Sequence, residues 1–294
     1  MISIIICSRD KKSLHDVTES VAATIGVPYE LIAIDNSKSE YGICEAYNIG
    51  AKRSKYDLLC FMHEDLKFHT EGWGKNVARI LADPAVGVLG VAGATYQLKA
   101  PTSWIHAGTP CLRVNVLHTT GKAVLRADYF NPQKEVIAEV ATVDGLWMCC
   151  RKQVWQDFPF DQESFPFFHF YDIDFCTKIF VKYRIVVTYE ILIEHFSEGT
   201  FKIDWTVNAL KYFRLRKQYL PFGKTHLKDL EVKQLELKIF QQTLKNLINY
   251  KAKASDIMYC LYECIKLDLR NKDTMWIAKQ YLRGKTLGKT EHLG

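Results

Sequence analysis

Two hydrophobic periods alternate through the first 95 residues. Ile2–Cys7 is a run that is apolar but for Ser3 and rich in β-branched side chains, the pattern of a strand buried on both faces. Glu30–Ile34, Asp57–Met62 and Val86–Val91 repeat it. Between these strands the spacing predicts helices: one capped by Ser13 with Asp16 three positions on, one over Ile43–Arg53, and one over Gly72–Leu81. The order β-α-β-α-β-α-β predicts an α/β fold, a Rossmann-like and mainly parallel sheet flanked by helices.

From Thr95 to Val143 the runs shorten and alternate. Cys111–Leu117 and Lys122–Leu125, split by Thr120-Gly121, predict a hairpin, and Ala138–Val143 a strand returning to the main sheet. A helix from Asp172 to Tyr183 and a strand Ile185–Tyr189 follow. Beyond Pro221 every signal is helical. Leu230, Leu237, Phe240, Leu244 and Leu247 mark one face of a long helix, Ser255 caps a second, and Asp273 opens a third that ends at Gly284. The expected division is a main domain over 1–220 and a helical appendage over 221–294.

Charge reinforces that boundary. Residues 1–204 carry 21 Lys+Arg against 25 Asp+Glu, whereas 205–294 carry 18 against 8. The basic tail reads either as a solvated helical surface or as a peripheral contact with anionic lipid. No nucleic-acid-binding motif accompanies it, so nucleic acid is not an expected partner. No apolar run reaches the ~20 residues of a membrane span. Met1–Cys7 lacks the flanks of a leader peptide and reads as a strand. Nine cysteines without a C-x-x-C pair suit reduced core thiols and a cytoplasmic location, at most peripheral to the inner face of a membrane.

Ligands of an open α/β sheet bind where its strands end. Ser8-Arg9-Asp10, Asp35-Asn36-Ser37 and His63-Glu64-Asp65 stand at those places. A carboxylate such as Asp35 suits ribose hydroxyls, although Asp-Asn-Ser is equally turn chemistry. Neither G-x-G-x-x-G nor G-x-x-x-x-G-K-[ST] follows the first strand. A bound nucleotide diphosphate would therefore need a divalent cation for its charge. Alternation sets His63 and Asp65 on one side and Glu64 on the other.

The runs ISIIICSR, ELIAIDNS, YNIG at 47–50 and FMHED resemble family-2-like glycosyltransferases of the GT-A fold. The likeness is to the streptomycin-biosynthesis-like subgroup, which carries His for the first Asp of D-x-D. VDGLWM at 143–148, FHFYDIDFC at 168–176 and IEHF at 193–196 match in order. The resemblance covers about residues 1–215 and implies a metal-dependent, inverting transfer from a UDP-type nucleotide sugar to a hydroxyl of a glycan or lipid-linked acceptor. It implies Asp172 as general base, and Ser8, Arg9, Asp35 and His63 around the donor nucleotide. Asp65 and His195 would hold Mn²⁺ or Mg²⁺, with Asp144, Gly145 and Trp147 on the acceptor side. His63, where many relatives have Asp, is a ligand or a diphosphate contact; Tyr47 stands where Arg is common. The helix start is expected to lower the pKa of Asp172. The alternatives are a silent nucleotide- or sugar-binding scaffold and a nucleotidyltransferase. The latter would want a glycine-rich basic loop that CSRDKK at 7–12 does not supply.

Overall fold

The computed structural model describes residues 1–120, 124–197 and 203–284. The first half runs β1 (Ile2–Ser8), α1 (Lys11–Thr24), β2 (Tyr29–Asp35), α2 (Ile43–Arg53), β3 (Leu58–Met62), β4 (Leu66–Phe68), α3 (Trp73–Leu81) and β5 (Val86–Gly90). Short strands β6 (Ala92–Ala94) and β7 (Tyr96–Gln97) lead to the hairpin β8 (Leu112–Thr120) and β9 (Val124–Phe130). Then come β10 (Ile137–Val140), β11 (Thr142–Val143), β12 (Trp147–Arg151), α4 (Lys152–Asp157), α5 (Tyr171–Ile179), β13 (Arg184–Thr188) and β14 (Ile193–His195). Helix α6 (Ile203–Arg216), β15 (Phe222–Gly223), α7 (Asp229–Asn249), α8 (Ala254–Leu267) and α9 (Lys272–Leu282) complete the chain.

The main sheet has seven strands in the order β10-β13-β5-β12-β3-β1-β2. β2, β1 and β3 run parallel, as do β5 and β13, while β12 joins the two groups antiparallel to both. Ile2, Ile4, Ile5 and Ile6 are fully buried, as a strand covered on both faces requires. A second sheet, β11-β6-β8-β14-β4 with β9 paired to β8, stands at the same end as the predicted chemistry.

Four expectations change. Ala138–Val143 is not one returning strand: β10 joins the main sheet and β11 the second, with Ala141 N–H bonded to Ala94 O between them. Gly93 permits that crossing, because a Cβ there would meet the Thr142 carbonyl at 2.0 Å. The cap of α1 is Asp10, whose carboxylate accepts from Ser13 N–H at 2.8 Å, so Ser13 is inside the helix. The hairpin strands run further than predicted, while Gly121 and Lys122 lie outside the described residues. In the tail, Leu230 is exposed, Ser255 makes no cap, and Asn271 rather than Asp273 caps α9.

The tail helices pack on α6 through Phe213 and Phe240, whose rings are 5.1 Å apart. Lys217–Glu263 and Arg214–Asp256 ion pairs, each at 2.5 Å, flank that contact. The Glu236 carboxylate also accepts from Lys99 N–H at 2.8 Å, tying α7 to the loop after β7. No helix among the described residues is long and apolar enough to cross a membrane. All nine cysteines are unpaired, and eight are buried.

Candidate active site

β1 places Ser8 beside Asp35, and β3 delivers His63 and Asp65 at the same sheet end. Alternation holds through the β3 end. Glu64 turns to the β1 loop, taking the Ser8 hydroxyl at 2.7 Å and Arg9 N–H at 3.0 Å. The buried Ser8 hydroxyl, expected on the nucleotide, is thus committed to the half-buried Glu64. Arg9 is exposed and its guanidinium donates to Ser39 Oγ at 2.6 Å. Asp35 is exposed and accepts from Ser37 N–H at 3.0 Å, the turn use open to it from sequence.

His63 and Asp65 face the other way, toward β14. The Asp65 carboxylate lies 3.4 Å from His195 Nε2 and 3.9 Å from His63 Nδ1. One donor atom from each of the three residues falls within 4.8 Å of the others. His63, placed by the sequence on the nucleotide, therefore stands with the other two. Burial opposes ionisation of Asp65, but hydrogen bonds from His195 and Ser197 and the nearby imidazoles hold its carboxyl well below the usual range. Burial lowers the His63 pKa; at His195 the Asp65 carboxylate overcomes burial and raises it. Two imidazoles and a carboxylate suit a first-row divalent cation. The buried Nδ1 of His195 has no hydrogen-bond partner, leaving a donor atom to spare.

Tyr171, the first residue of α5, links this cluster to the acidic motif. Its phenol meets His63 Nε2 at 2.8 Å. Next to it, Asp172 is half-buried and accepts from Gly145 N–H at 3.0 Å and Ile173 N–H at 2.9 Å. Burial, with the Asp144 carboxylate beside it, pushes the Asp172 carboxyl up to about 7. This reverses the expected helix-start lowering, because desolvation and a like charge outweigh the two backbone donors. Asp144 in turn accepts from Trp104 Nε1 at 3.1 Å and Leu146 N–H at 2.8 Å.

Trp147, expected beside an acceptor, is not open to one. It is fully buried in β12 and lies edge-on to Trp73 at 6.0 Å. Tyr47 is also core, against Phe61 at 5.1 Å. Among the aromatics around the start of α5, Phe165, Phe170 and Tyr171 are buried, while Phe168 is exposed with its ring 5.6 Å from His63.

Nothing in the sequence marks Trp104 or His118 as a site residue, and Tyr171 reads there only as a core or stacking aromatic. Trp104 lies 40 residues from Asp144 in a segment with no period, so no local signal marks it. Asp174 is 99% removed from solvent and bonded to Arg216 Nε at 2.6 Å; Arg216 also reaches Asp161 at 2.8 Å. That pair ties α5 to α6.

No curated protein matches the chain. Among solved structures, TarS 1-349 of S. aureus is similar at 14% identity and a TM-score of 0.55, over 97% of this chain and 92% of that one. The same protein in complex with UDP-GlcNAc gives 14%, 0.52 and the same coverage. The mannosyltransferase PcManGT from Pyrobaculum calidifontis, in complex with GDP-Man and Mn2+, gives 12% identity and a TM-score of 0.50, over 96% of this chain and 85% of that one. At such identities the likeness speaks for the fold, which is of the GT-A type with a helical C-terminal region. The sequence model of a glycosyltransferase-like family matches residues 3–218, most of the chain, and the protein belongs to that family.

Proposed function

We propose that the protein is a metal-dependent, inverting glycosyltransferase that moves a sugar from a UDP-type donor to a hydroxyl of a glycan or lipid-linked acceptor. Cell-surface polysaccharide or glycoconjugate synthesis is the setting we infer for it. The observation that carries this reading is the convergence of His63, Asp65 and His195 within 4.8 Å at the sheet end where ligands bind. A divalent cation held there would offset the charge that grows on the departing diphosphate, Mn²⁺ suiting the imidazoles better than Mg²⁺.

Asp172 is the general base in this reading. A carboxyl at about 7 is matched to taking a proton from a hydroxyl near neutral pH. The acceptor oxygen attacks the anomeric carbon as its proton passes to Asp172, and the bond from that carbon to the diphosphate breaks on the opposite face, which inverts the configuration. Asp144 and Gly145 line the acceptor side, with Trp104 rather than Trp147 beside Asp144. Arg9 and Asp35, exposed at neighbouring strand ends, take the nucleoside. Complexes of fold relatives with UDP-GlcNAc and with GDP-Man and Mn2+ support a nucleotide-sugar donor.

We read residues 1–220 as the catalytic domain and 221–294 as an appendage that meets an anionic bilayer. Met258, Tyr262, Met275 and Trp276 are each more than half exposed on α8 and α9, within the segment that carries the excess of Lys and Arg. Amphipathic aromatics beside basic residues suit a lipid interface. We place the enzyme in the cytoplasm at the inner face of the membrane, a reading that the basic surface and the unpaired cysteines support.

The test is product analysis with a panel of nucleotide sugars and Mn²⁺. Release of nucleoside diphosphate and a product of opposite anomeric configuration by NMR support the reading. A retained configuration contradicts inversion. Pyrophosphate from a nucleoside triphosphate would make the protein a nucleotidyltransferase, and no turnover with any donor would leave a binding scaffold.

A further inference from the structure

His118 gains from the fold what the sequence does not show. On the parallel neighbours β8 and β14 it stands directly opposite His195, so both side chains leave the sheet on one face. Their rings are 5.5 Å apart, close to the 5.7 Å between His63 and His195. Across the hairpin, Asp128 on β9 brings a carboxylate oxygen to 3.4 Å from His118 Nε2. The other ring nitrogen, Nδ1, is buried without a hydrogen-bond partner.

These facts constrain the ring. A carboxylate at Nε2 favours the tautomer protonated there, which leaves a lone pair on Nδ1. A buried acceptor without a donor is costly, and an imidazole backed by a carboxylate is the usual arrangement behind a metal-bound histidine. We propose that His118, whose donor atoms stand outside the group that those of His63, Asp65 and His195 form within 4.8 Å, closes on the cation held there as a fourth protein donor, with Asp128 as its positioning residue. The inference rests on the metal-dependent reading above. Three imidazoles and one carboxylate would make the centre nitrogen-rich and bias it further toward Mn²⁺ over Mg²⁺, which prefers oxygen donors and its own waters.

The test uses the full chain with Mn²⁺ alone, followed by electron paramagnetic resonance. The wild type should show couplings to three ligand nitrogens. His118→Gln should retain two and bind Mn²⁺ at least about tenfold more weakly, and Asp128→Asn should weaken binding about 10–100-fold with all three retained. Circular dichroism checks the fold of each. If His118→Gln fails to fold, the nitrogen count of the wild type and the Asp128→Asn affinity still decide. Two nitrogens in the wild type, or unchanged affinity in both variants, would overturn the role of His118. Asp65→Asn separates the two levels: if it alone loses Mn²⁺, only His118 is misassigned, and if it too binds normally, the metal centre is wrong.

Discussion

The Tyr171 phenol and the His63 imidazole share a hydrogen bond of 2.8 Å, joining the acidic motif of α5 to the end of β3. Gly145 makes that approach possible: a Cβ on it would stand 2.1 Å from the Tyr171 oxygen. Partners that fix a metal-binding imidazole typically matter 10–100-fold for metal affinity. Tyr171→Phe is therefore expected to weaken Mn²⁺ binding by at least about tenfold, and Gly145→Ala to do the same by displacing the ring. Calorimetric Mn²⁺ titration of both variants checks this; wild-type affinity in Tyr171→Phe would show that the bond does not position His63.

Asp172→Asn should lower the transfer rate by about 10²–10⁴-fold, the usual loss for a general base, with nucleotide affinity nearly unchanged. The pH profile carries a sign. The carboxyl is raised to about 7, and only its ionised form accepts a proton, so the rate should climb about tenfold per pH unit below 7 and level off above it. A profile flat from pH 5 to 8 would rule Asp172 out as the base.

Asp174 acts through structure. It is buried and paired with Arg216, and breaking a buried pair from one side costs about 3–5 kcal/mol. Because Asp161 still holds Arg216, Asp174→Ala should lose about 3 kcal/mol in urea unfolding. The folded fraction should still bind nucleoside diphosphate. Unchanged stability would contradict the pairing.

The tail surface predicts co-sedimentation with vesicles rich in anionic lipid, much less with neutral ones, and partial release as salt rises. Charge attraction fades as the Debye length shrinks to about 3 Å near 1 M salt, while the exposed Trp276 and Met258 keep some apolar hold. Equal binding to neutral vesicles would remove the electrostatic part. No binding at all would leave the basic residues as solvated surface.

What the chain reveals before folding divides by distance along it. The strand ends are legible because Ile2–Cys7, apolar but for Ser3, and Leu58–Met62 stop at polar residues. The opposite facing of Glu64 to His63 and Asp65 needed only alternation. Trp147 misled, since its closeness in sequence to Asp144 says nothing of which face β12 buries. Asp172 misled in a different way: the helix start is local, but the Asp144 charge and the burial that raise its carboxyl come from another element. The His118–His195 pairing joins β8 to β14 across 77 residues, which only register reveals.

In the proposed function Asp65, with His63 and His195, holds the cation that makes transfer possible. The direct measurement is the initial rate of nucleoside diphosphate release from the active nucleotide sugar, for wild type and Asp65→Asn, in Mn²⁺ and in EDTA. EDTA should abolish release by the wild type, Mn²⁺ should restore it, and Asp65→Asn should be inactive in both. Release by the wild type in EDTA, or by Asp65→Asn at the wild-type rate in Mn²⁺, would contradict that role.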